Sequence, residues 1–438
     1  MSNLDALVRE IEPQLIADRR DFHCHAESGW CEFRTASLIA RRLVELGYEV
    51  QAGRAVVRDQ DRLGVPAPDV LQARWQRAVD EGGDPEFLEC VQEGFTGVVG
   101  VLLNGAGPTV GIRFDIDALD LGESQDAGRH RPAREGFASI HPEASHACGH
   151  DAHAAVGLGV AQVLLRLRDR WCGTVKLVFQ PAEEGVRGAK AMVGASVVDD
   201  VEMMLAHHLY SGWKLGEVAG SKDGYLATTK FDATFTGAPA HAAGAPEKGK
   251  NALLAAATAV LNLYAIPRHQ DGVTRINVGR LEAGSGRNVI PAHADLTVET
   301  RGATTEVNDY MHAYALRVLE AAAQMHACTL SIRPMGAAQG ANSTPELARR
   351  VEQIALDLGG FTLRKTEGGG GSEDYTYMMR RVQERGGQAT FVAVGADLAD
   401  GNSNLGHHTA EFDIDERALA QAVKLLAAVA MDCLTAQP

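Results

Sequence analysis

The sequence lacks three features that would point to other classes of protein. It has 42 basic against 57 acidic residues, a formal net charge of −15, and no stripe of lysine or arginine that could neutralise phosphates. Its seven cysteines are scattered and odd in number, which does not suit a disulfide framework. No run reaches the roughly 20 apolar residues of a membrane-spanning helix, and the N-terminus has no apolar signal core. We therefore expect a cytoplasmic protein with no nucleic-acid or membrane partner.

What the chain does have is length and apolar content. With 438 residues it exceeds what one hydrophobic core usually supports, and 45% of them are hydrophobic. Apolar positions at helical spacing predict helices over 4–19, 35–46, 152–168 and 188–192, and short apolar runs predict strands over 97–103, 109–115, 173–180 and 202–207. This alternation is typical of an α/β sheet whose strands are buried on both faces.

The pattern changes near residue 228. Alternating strands and two helices follow in a β-α-β-β-α-β order, which is that of a ferredoxin-like module. We place this module at 228–336, inserted into a first domain made of 1–227 and 337–438. A polar, helix-prone segment over 52–93 carries no motif and is interpreted as a further insertion.

The residues suited to chemistry begin with the stretch His146-Ala-Cys-Gly-His-Asp-Ala-His153. Thiolate and imidazole are good ligands for zinc-like cations. Cys148 and His150, two residues apart, are expected on the same side of an extended loop. Taken alone, the stretch is equally compatible with a loop that buries a cysteine, or with a reactive cysteine.

Three further pairs of donors follow presumed strand ends. They are Glu183 with Glu184, His207 with His208, and His407 with His408. Each pair alone could be a solvated turn, but four donor clusters at comparable places favour a metal site, and the mixed ligands suit zinc or manganese better than magnesium or calcium. Adjacent glutamates can divide the work, one binding a cation and the other serving as general base, and Glu183 is the candidate base.

These residues also lie in motifs that run in one order along nearly the whole chain. The motifs are Arg19-Arg-Asp-Phe-His-Cys-His-Ala-Glu27, Phe114-Asp-Ile-Asp-Ala-Leu-Asp120, the Cys148 stretch, Gln180-Pro-Ala-Glu-Glu-Gly185, Gly284-Ser-Gly-Arg-Asn-Val-Ile-Pro291, Gly371-Ser-Glu-Asp-Tyr375 and Phe412-Asp-Ile-Asp-Glu416. In them the chain resembles the aminoacylase/carboxypeptidase family of co-catalytic metallopeptidases. Around 273–279, 288–291 and 298–304 it is most similar to the branch that hydrolyses p-aminobenzoyl-glutamate.

The resemblance implies a ligand set and a base. Each subunit is expected to hold two divalent metal ions, bridged by Cys148, and the remaining ligands are His150, Glu184, His208 and His408. The resemblance assigns Glu183 as general base. His207 and His407 stand beside ligands, and the spacing to Phe412 favours His408 without settling the choice.

The rest of the site is implied to lie in the inserted module. His241 corresponds to a histidine that reaches into the partner subunit's cleft and polarises the scissile carbonyl. Asn288 and Arg301 match positions that bind the carboxylate of the released amino acid, although Arg301 could also be a surface residue in an ion pair. A homodimer through this module is therefore expected, and the need for a related second subunit is left open.

The activity implied is hydrolysis of the amide between an aroyl or acyl group and an amino acid. p-Aminobenzoyl-glutamate is the first expectation, and indole-3-acetyl-aspartate or dipeptides are alternatives, because Ser145 and His207 depart from the usual pattern and leave the acyl group open. Two other classes remain: a non-catalytic metal-binding relative, and a cysteine hydrolase that uses Cys148 and keeps its activity after chelation.

Overall fold

The computed structural model describes residues 2–366, 368, 371–398 and 406–435, which form two compact units. The first unit runs to Asp223 and resumes over residues 342–368 and from Asp374 onward. The second unit comprises residues 224–341 together with the stretch that ends at Glu373. The chain of the first unit is therefore discontinuous.

Helices and strands alternate through most of the chain. The helices are α1 (Ser2–Cys24), α2 (Phe33–Glu45), α3 (Pro68–Asp80), α4 (Pro85–Cys90), α5 (Arg131–Glu135), α6 (His150–Arg166), α7 (Ala189–Gly194), α8 (Ala252–Tyr264), α9 (Thr305–Met325), α10 (Pro345–Leu358), α11 (Thr376–Glu384) and α12 (Arg417–Thr435). The strands are β1 (Glu49–Ala52), β2 (Val98–Asn104), β3 (Thr109–Asp115), β4 (Gly173–Gln180), β5 (Met203–Tyr210), β6 (Glu217–Ala219), β7 (Ala227–Thr236), β8 (Thr274–Ala283), β9 (His293–Gly302), β10 (Thr329–Ala338), β11 (Thr362–Leu363) and β12 (Gln388–Gly395). Short 3-10 turns lie at Gly53–Ala55, Asp59–Asp61, Gln92–Gly94, Arg168–Arg170 and Pro246–Lys248.

The first unit is built on one mixed sheet. Its strand order is β1-β2-β4-β3-β5-β12-β6-β11, and the central strands β4, β3, β5 and β12 are parallel while β2 runs antiparallel to β4. The inner strands are buried on both faces, as the apolar runs predict: on β3, Val110, Ile112 and Phe114 lie on one face and Arg113 and Asp115 on the other, and all five are fully buried. The α/β class expected from the sequence is confirmed.

The second unit has its own antiparallel sheet. It runs β7-α8-β8-β9-α9-β10 along the chain, and the strand order is β10-β7-β9-β8. Both helices pack on the sheet around buried side chains that include Phe231, Phe235, Leu296, Met311 and Leu319. Strand β8 stands at an edge of this sheet.

The segment between β1 and β2 lies beside the turn that follows β4. The indole Nε1 of Trp30 donates to the carbonyl of Leu63 at 2.7 Å. Arg187 donates to the carbonyl oxygens of Glu184 at 2.8 Å and of Gly64 at 3.3 Å. The segment that the sequence marks as an insertion therefore holds one side of the turn that carries the glutamate pair.

Within the described chain, one helix is long and apolar enough to cross a membrane by length and composition. This is α12, and 61% of its apolar window is buried inside the protein. It packs against α1, α6 and α10 of the first unit. Such burial is what a core helix of alanine, leucine and valine shows.

Candidate metal centre

Donor side chains of the first unit meet near its central strands. Cys148 and His150 stand at the start of α6, Glu184 follows β4, and His208 lies in β5. One donor atom each of Cys148, His150 and Glu184 lie within 4.8 Å of one another. The sulfur of Cys148 lies 3.4 Å from Nε2 of His208. Four of the five predicted ligands are therefore brought together.

The chain does not run extended between the first two donors, so the expectation of an extended loop is wrong. Gly149 has φ +90°, and α6 begins directly after it at His150. A side chain in this left-handed region would cost about 1–2 kcal/mol, which is why glycine suits the position. The turn, and not strand-like alternation, brings Cys148 and His150 to one side.

Hydrogen bonds to carbonyl groups set the tautomers of two of the histidines. Nδ1 of His150 lies 2.9 Å from the carbonyl oxygen of Asp117, and Nδ1 of His208 lies 2.9 Å from that of Leu209. Because a carbonyl oxygen can only accept, each Nδ1 carries the proton. Nε2 is therefore the nitrogen of each ring that can serve as a metal ligand.

The carboxylate of Asp117 holds the glutamate turn in place. It accepts the backbone N–H of Glu183 at 3.0 Å and of Glu184 at 2.9 Å. Ala182, which has φ +51°, donates its N–H to the buried carboxylate of Glu32 at 2.7 Å. These bonds fix the backbone of both glutamates relative to His150.

The buried donor atoms fit a cation. Nε2 of His150 and Oε1 of Glu184 are buried and have no hydrogen-bond partner among the described residues, although Oε1 of Glu184 lies within ion-pair distance, 3.4 Å, of Nε2 of His408. Leaving such an atom unpaired costs about 1–3 kcal/mol. Burial also raises the pKa of the Cys148 thiol, and it raises the pKa of Glu184 to about 7. A divalent cation would replace these protons and satisfy the lone pairs, and the thiolate, imidazole and carboxylate set suits zinc or manganese.

A second layer of charged residues lies behind the donors. Nδ1 of His153 donates to Asp115 at 2.5 Å, and its Nε2 accepts the N–H of Leu209 at 3.0 Å. Both nitrogens are thus engaged, so His153 supports the site and does not ligate. The buried guanidinium of Arg113 donates to Asp115 at 2.6 Å and to Gln180 at 2.8 Å.

The structure distinguishes the two members of the His207–His208 pair more clearly than those of the His407–His408 pair. His207 is buried, packs edge-on against Phe114 with ring centroids 5.5 Å apart, and belongs to no group of possible ligands in the described residues. His208 is the member of that pair that faces Cys148.

His407 and His408 both border the donors. Nε2 of His407 accepts the N–H of Ser211 at 3.3 Å, so its proton is on Nδ1, which lies 3.7 Å from the Cys148 sulfur as a donor. Nε2 of His408 lies 3.4 Å from Oε1 of Glu184. One donor atom each of Cys148, His208 and His407 lie within 4.8 Å of one another, whereas no such group among the described residues includes His408. The tautomer of His407 argues for His408 and the positions of the donors argue for His407, so the assignment of His408 stays a prediction.

The second unit brings His241 and Asn288 together. His241 pairs with Val289 in a short antiparallel bridge, and the N–H of Ala242 donates to the carbonyl of Asn288 at 3.0 Å. Nδ1 of the exposed His241 accepts the N–H of Gly244 at 3.0 Å, so the ring proton is on Nε2. His241 therefore presents an N–H donor outward.

Arg301 lies apart from this pair, in β9. Its guanidinium donates to the carboxylate of Glu299 at 2.6 Å and 3.2 Å, and to the Ser372 hydroxyl at 3.5 Å. The side chain of Arg301 is 25% exposed. A substrate carboxylate would have to share this guanidinium with Glu299.

Comparison with known proteins decides the family. Residues 111–432 match the model of peptidase family M20/M25/M40. The chain belongs to this family. It is 47% identical to a p-aminobenzoyl-glutamate hydrolase of Escherichia coli K12 and 46% identical to indole-3-acetyl-aspartic acid hydrolase of Enterobacter agglomerans, in each case over 99% of this chain and 98% of the relative. The crystal structure of an aminobenzoyl-glutamate utilization protein from Klebsiella pneumoniae has a TM-score of 0.85 and 41% identity, covering 98% of both chains.

The resemblance drawn from the motifs is confirmed, and this M20-family chain is a metal-dependent amidohydrolase.

Sequence reasoning missed the supporting acids Asp115, Asp117 and Asp374. Asp374 accepts the N–H groups of Gly188 and Ala189 at 3.0 and 2.9 Å and so anchors the far end of the glutamate turn. The available signal was that all three stand in family motifs, two of them directly after a buried apolar strand.

Proposed function

We propose that this chain hydrolyses the amide bond between an aroyl group and an acidic amino acid, and that p-aminobenzoyl-glutamate, cleaved to p-aminobenzoate and glutamate, is its leading substrate. The observation that carries the proposal is the convergence of Cys148, His150, Glu184 and His208 directly beside Glu183, with Nδ1 of both imidazoles bound to carbonyl oxygens so that Nε2 remains as the ligand atom. The 46% identity to an indole-3-acetyl-aspartic acid hydrolase favours that conjugate as the second candidate.

The proposed cofactor is a pair of zinc or manganese ions in each subunit, and Cys148 would be one of the residues that hold them. His150, Glu184, His208 and His408 are the remaining ligands. Bound there, such ions supply Lewis acidity and lower the pKa of water. Glu183, held next to a ligand but outside the ligand set, takes the proton of the attacking water and delivers it to the departing nitrogen.

The second unit supplies the groups that bind and polarise the substrate. His241 donates its Nε2 proton to the scissile carbonyl oxygen as negative charge develops there, the interaction that contributes most when it strengthens in the transition state. Arg301 binds the carboxylate of the amino acid through its planar fork, and Asn288 assists it. An acidic protein can thus accept an acidic substrate.

We also propose a homodimer through the second unit, with His241 reaching the partner's cleft. Exposed apolar side chains gather on α8 and β8: Leu254 is 47% exposed, Leu261 75%, Tyr264 48% and Leu281 44%. Strand β8 is also an open sheet edge. An apolar patch beside an unpaired edge is the kind of surface that a second copy covers. The need for a related second subunit stays open, and the seven free cysteines suit a cytoplasmic location.

The test is release of free glutamate or aspartate from p-aminobenzoyl-glutamate, indole-3-acetyl-aspartate and a dipeptide. The enzyme is stripped with a chelator and then resupplied with zinc or manganese. We expect cleavage only after resupply, with the aroyl-glutamate cleaved fastest. Absence of cleavage by the metal-loaded protein would overturn the proposal.

The cysteine-hydrolase alternative gives the opposite pattern in the same assay. A hydrolase that uses Cys148 as nucleophile would keep its activity after exhaustive chelation and lose it on alkylation. Alkylation of the proposed metal enzyme is expected to be slow while the metal is bound, because the buried thiolate is then a ligand.

A further inference from the structure

Two family motifs from opposite ends of the chain have no part in the metal chemistry, yet they meet in one buried ion network. Arg19, from the first motif, is fully buried. Its guanidinium donates to Asp413 at 2.9 Å and to Glu416 at 3.3 Å, both from the last motif and almost 400 residues away. Its Nε donates to Asp151 at 2.8 Å. One arginine thus joins α1, the start of α6 and the segment before α12.

A second arginine also binds the segment that precedes α12. Arg131, at the start of α5, donates to both oxygens of the Asp413 carboxylate at 2.6 and 2.9 Å. It also donates to the carbonyl of Ile414 at 2.9 Å and to Glu416 at 3.0 Å. A bidentate pair with an added backbone bond fixes direction as well as distance. The backbone at residues 413–416 is therefore held as well as its side chains.

The network stands on both sides of the predicted ligands. Asp151 directly follows His150 in α6, and Asp413 lies in the same segment as His408. The other end of that segment is tied to the Cys148 turn, because His408 donates its N–H to the carbonyl of Ala147 at 2.7 Å. His408 has φ +64°, an unfavourable conformation for a residue with a side chain, so the surrounding bonds must hold it there.

We infer that Arg131, together with Arg19, is a positioning residue that holds segment 406–416 so that His408 faces the cation site, and that one of the two cation positions depends on it. The inference rests on the proposed ligand set. Burial alone would raise the pKa of Asp413, but Arg19 and Arg131 outweigh burial and lower it to about 2. The Asp413 carboxylate, to which both arginines donate hydrogen bonds, is therefore charged at neutral pH.

The test compares Arg131→Met with Arg20→Met. Arg20 is a matched control because it also pairs with Glu416, at 2.7 Å, and also lies over the Phe137 ring. Its side-chain bonds go to Glu416 and Glu135, and none of them is to Asp413 or Ile414 in the described chain. Each purified full-length protein is titrated with zinc against a chromophoric chelator, and zinc per chain is counted after dialysis.

We expect two zinc ions per chain for the parent and for Arg20→Met. In Arg131→Met the zinc affinity of one site should fall at least tenfold while that of the other site is unchanged. Arg131→Lys keeps the charge without the planar guanidinium, so its affinity at the weakened site should lie between those of the parent and of Arg131→Met. A merely structural role would lower the unfolding midpoint without separating the two sites. If Arg131→Met does not fold, the same titration of Arg131→Lys carries the test.

Failure of the inference about Arg131 and failure of the proposed ligand set give different zinc counts and affinities. A parent that binds two ions, with Arg131→Met (or the lysine variant in its place) binding both within twofold of the parent, overturns the inference and leaves the proposed ligands standing. A parent that binds fewer than two ions overturns the ligand assignment itself, and this inference with it.

Discussion

Asp117→Asn is the sharpest test of how the donors are held, because it changes one atom of a buried carboxylate. Asp117 accepts the N–H groups of Glu183 and Glu184 at 3.0 and 2.9 Å. In the asparagine variant one acceptor oxygen becomes an amide donor that faces a backbone N–H. Hydrogen bonds to a charged group contribute about 1.5–3 kcal/mol each, so we expect a loss of that size.

That loss falls on the turn that presents Glu184, so it should appear mainly as weaker metal binding. At about 1.4 kcal/mol per tenfold change, it corresponds to roughly 10- to 100-fold in metal affinity. The assay is zinc competition with a chelator, together with urea unfolding of the metal-free protein. Asp120→Asn is the control, because Asp120 is exposed in the same loop.

A zinc affinity of Asp117→Asn within threefold of that of the parent would contradict this expectation. In that case the two backbone bonds do not position Glu184, and the contacts of the turn with Asp374, Glu32 and Arg187 are sufficient to hold it. A variant with weaker metal binding but unchanged stability of the metal-free protein would place the whole effect in the geometry of the ligands.

Three more outcomes are expected. Glu183→Gln should keep its zinc content but lose about 100-fold or more in kcat, as removal of a general base does; a kcat within tenfold of the parent contradicts the assignment. Burial would lower the pKa of His23, but Asp151 outweighs burial and raises the pKa from 6.5 to about 9. Protonated His23 therefore stabilises the fold fully below pH 6.5 and progressively less as the pH rises to 9. Urea unfolding at a series of pH values should show this decline in stability, and His23→Gln should make the decline smaller. Leu261→Glu should give monomers in sedimentation, whereas Val44→Glu, on the first unit and 41% exposed, should not.

The sequence predicts those parts of the molecule that repeat a local pattern. Positions 110, 112 and 114 in the run over 109–115 are apolar, so β3 could be predicted as a buried strand, although Arg113 and Asp115 on its other face are also buried. The glutamate pair and the Cys148 stretch stand out because soft and hard donors seldom cluster by chance. Gly149 could have signalled a turn, but glycine also occurs in extended loops, and the wrong conformation was inferred there.

The supporting contacts could not be predicted, because their partners are distant in the chain. Asp117 bonds to backbone groups more than 60 residues away, and although it stands in a family motif close to a buried strand, nothing in its neighbours identifies those partners. Adjacent histidines are a similar case. The N–H of Ser211, which fixes the proton of His407 and so bears on the choice between His407 and His408, is almost 200 residues away in the chain.

The bond from Arg19 to Asp413 also has a consequence for the order of events during synthesis. Chains grow at about 5–20 residues per second and fold from the N-terminus as they emerge. Until the segment around residue 413 has left the ribosome, Asp151 is the one acid among the described residues that pairs with Arg19, and α1 and α6 lack the helix that covers them. The predicted ligand set, which includes His408, can therefore be completed only after the segment around residue 413 has emerged, so a shorter nascent chain lacks part of the site.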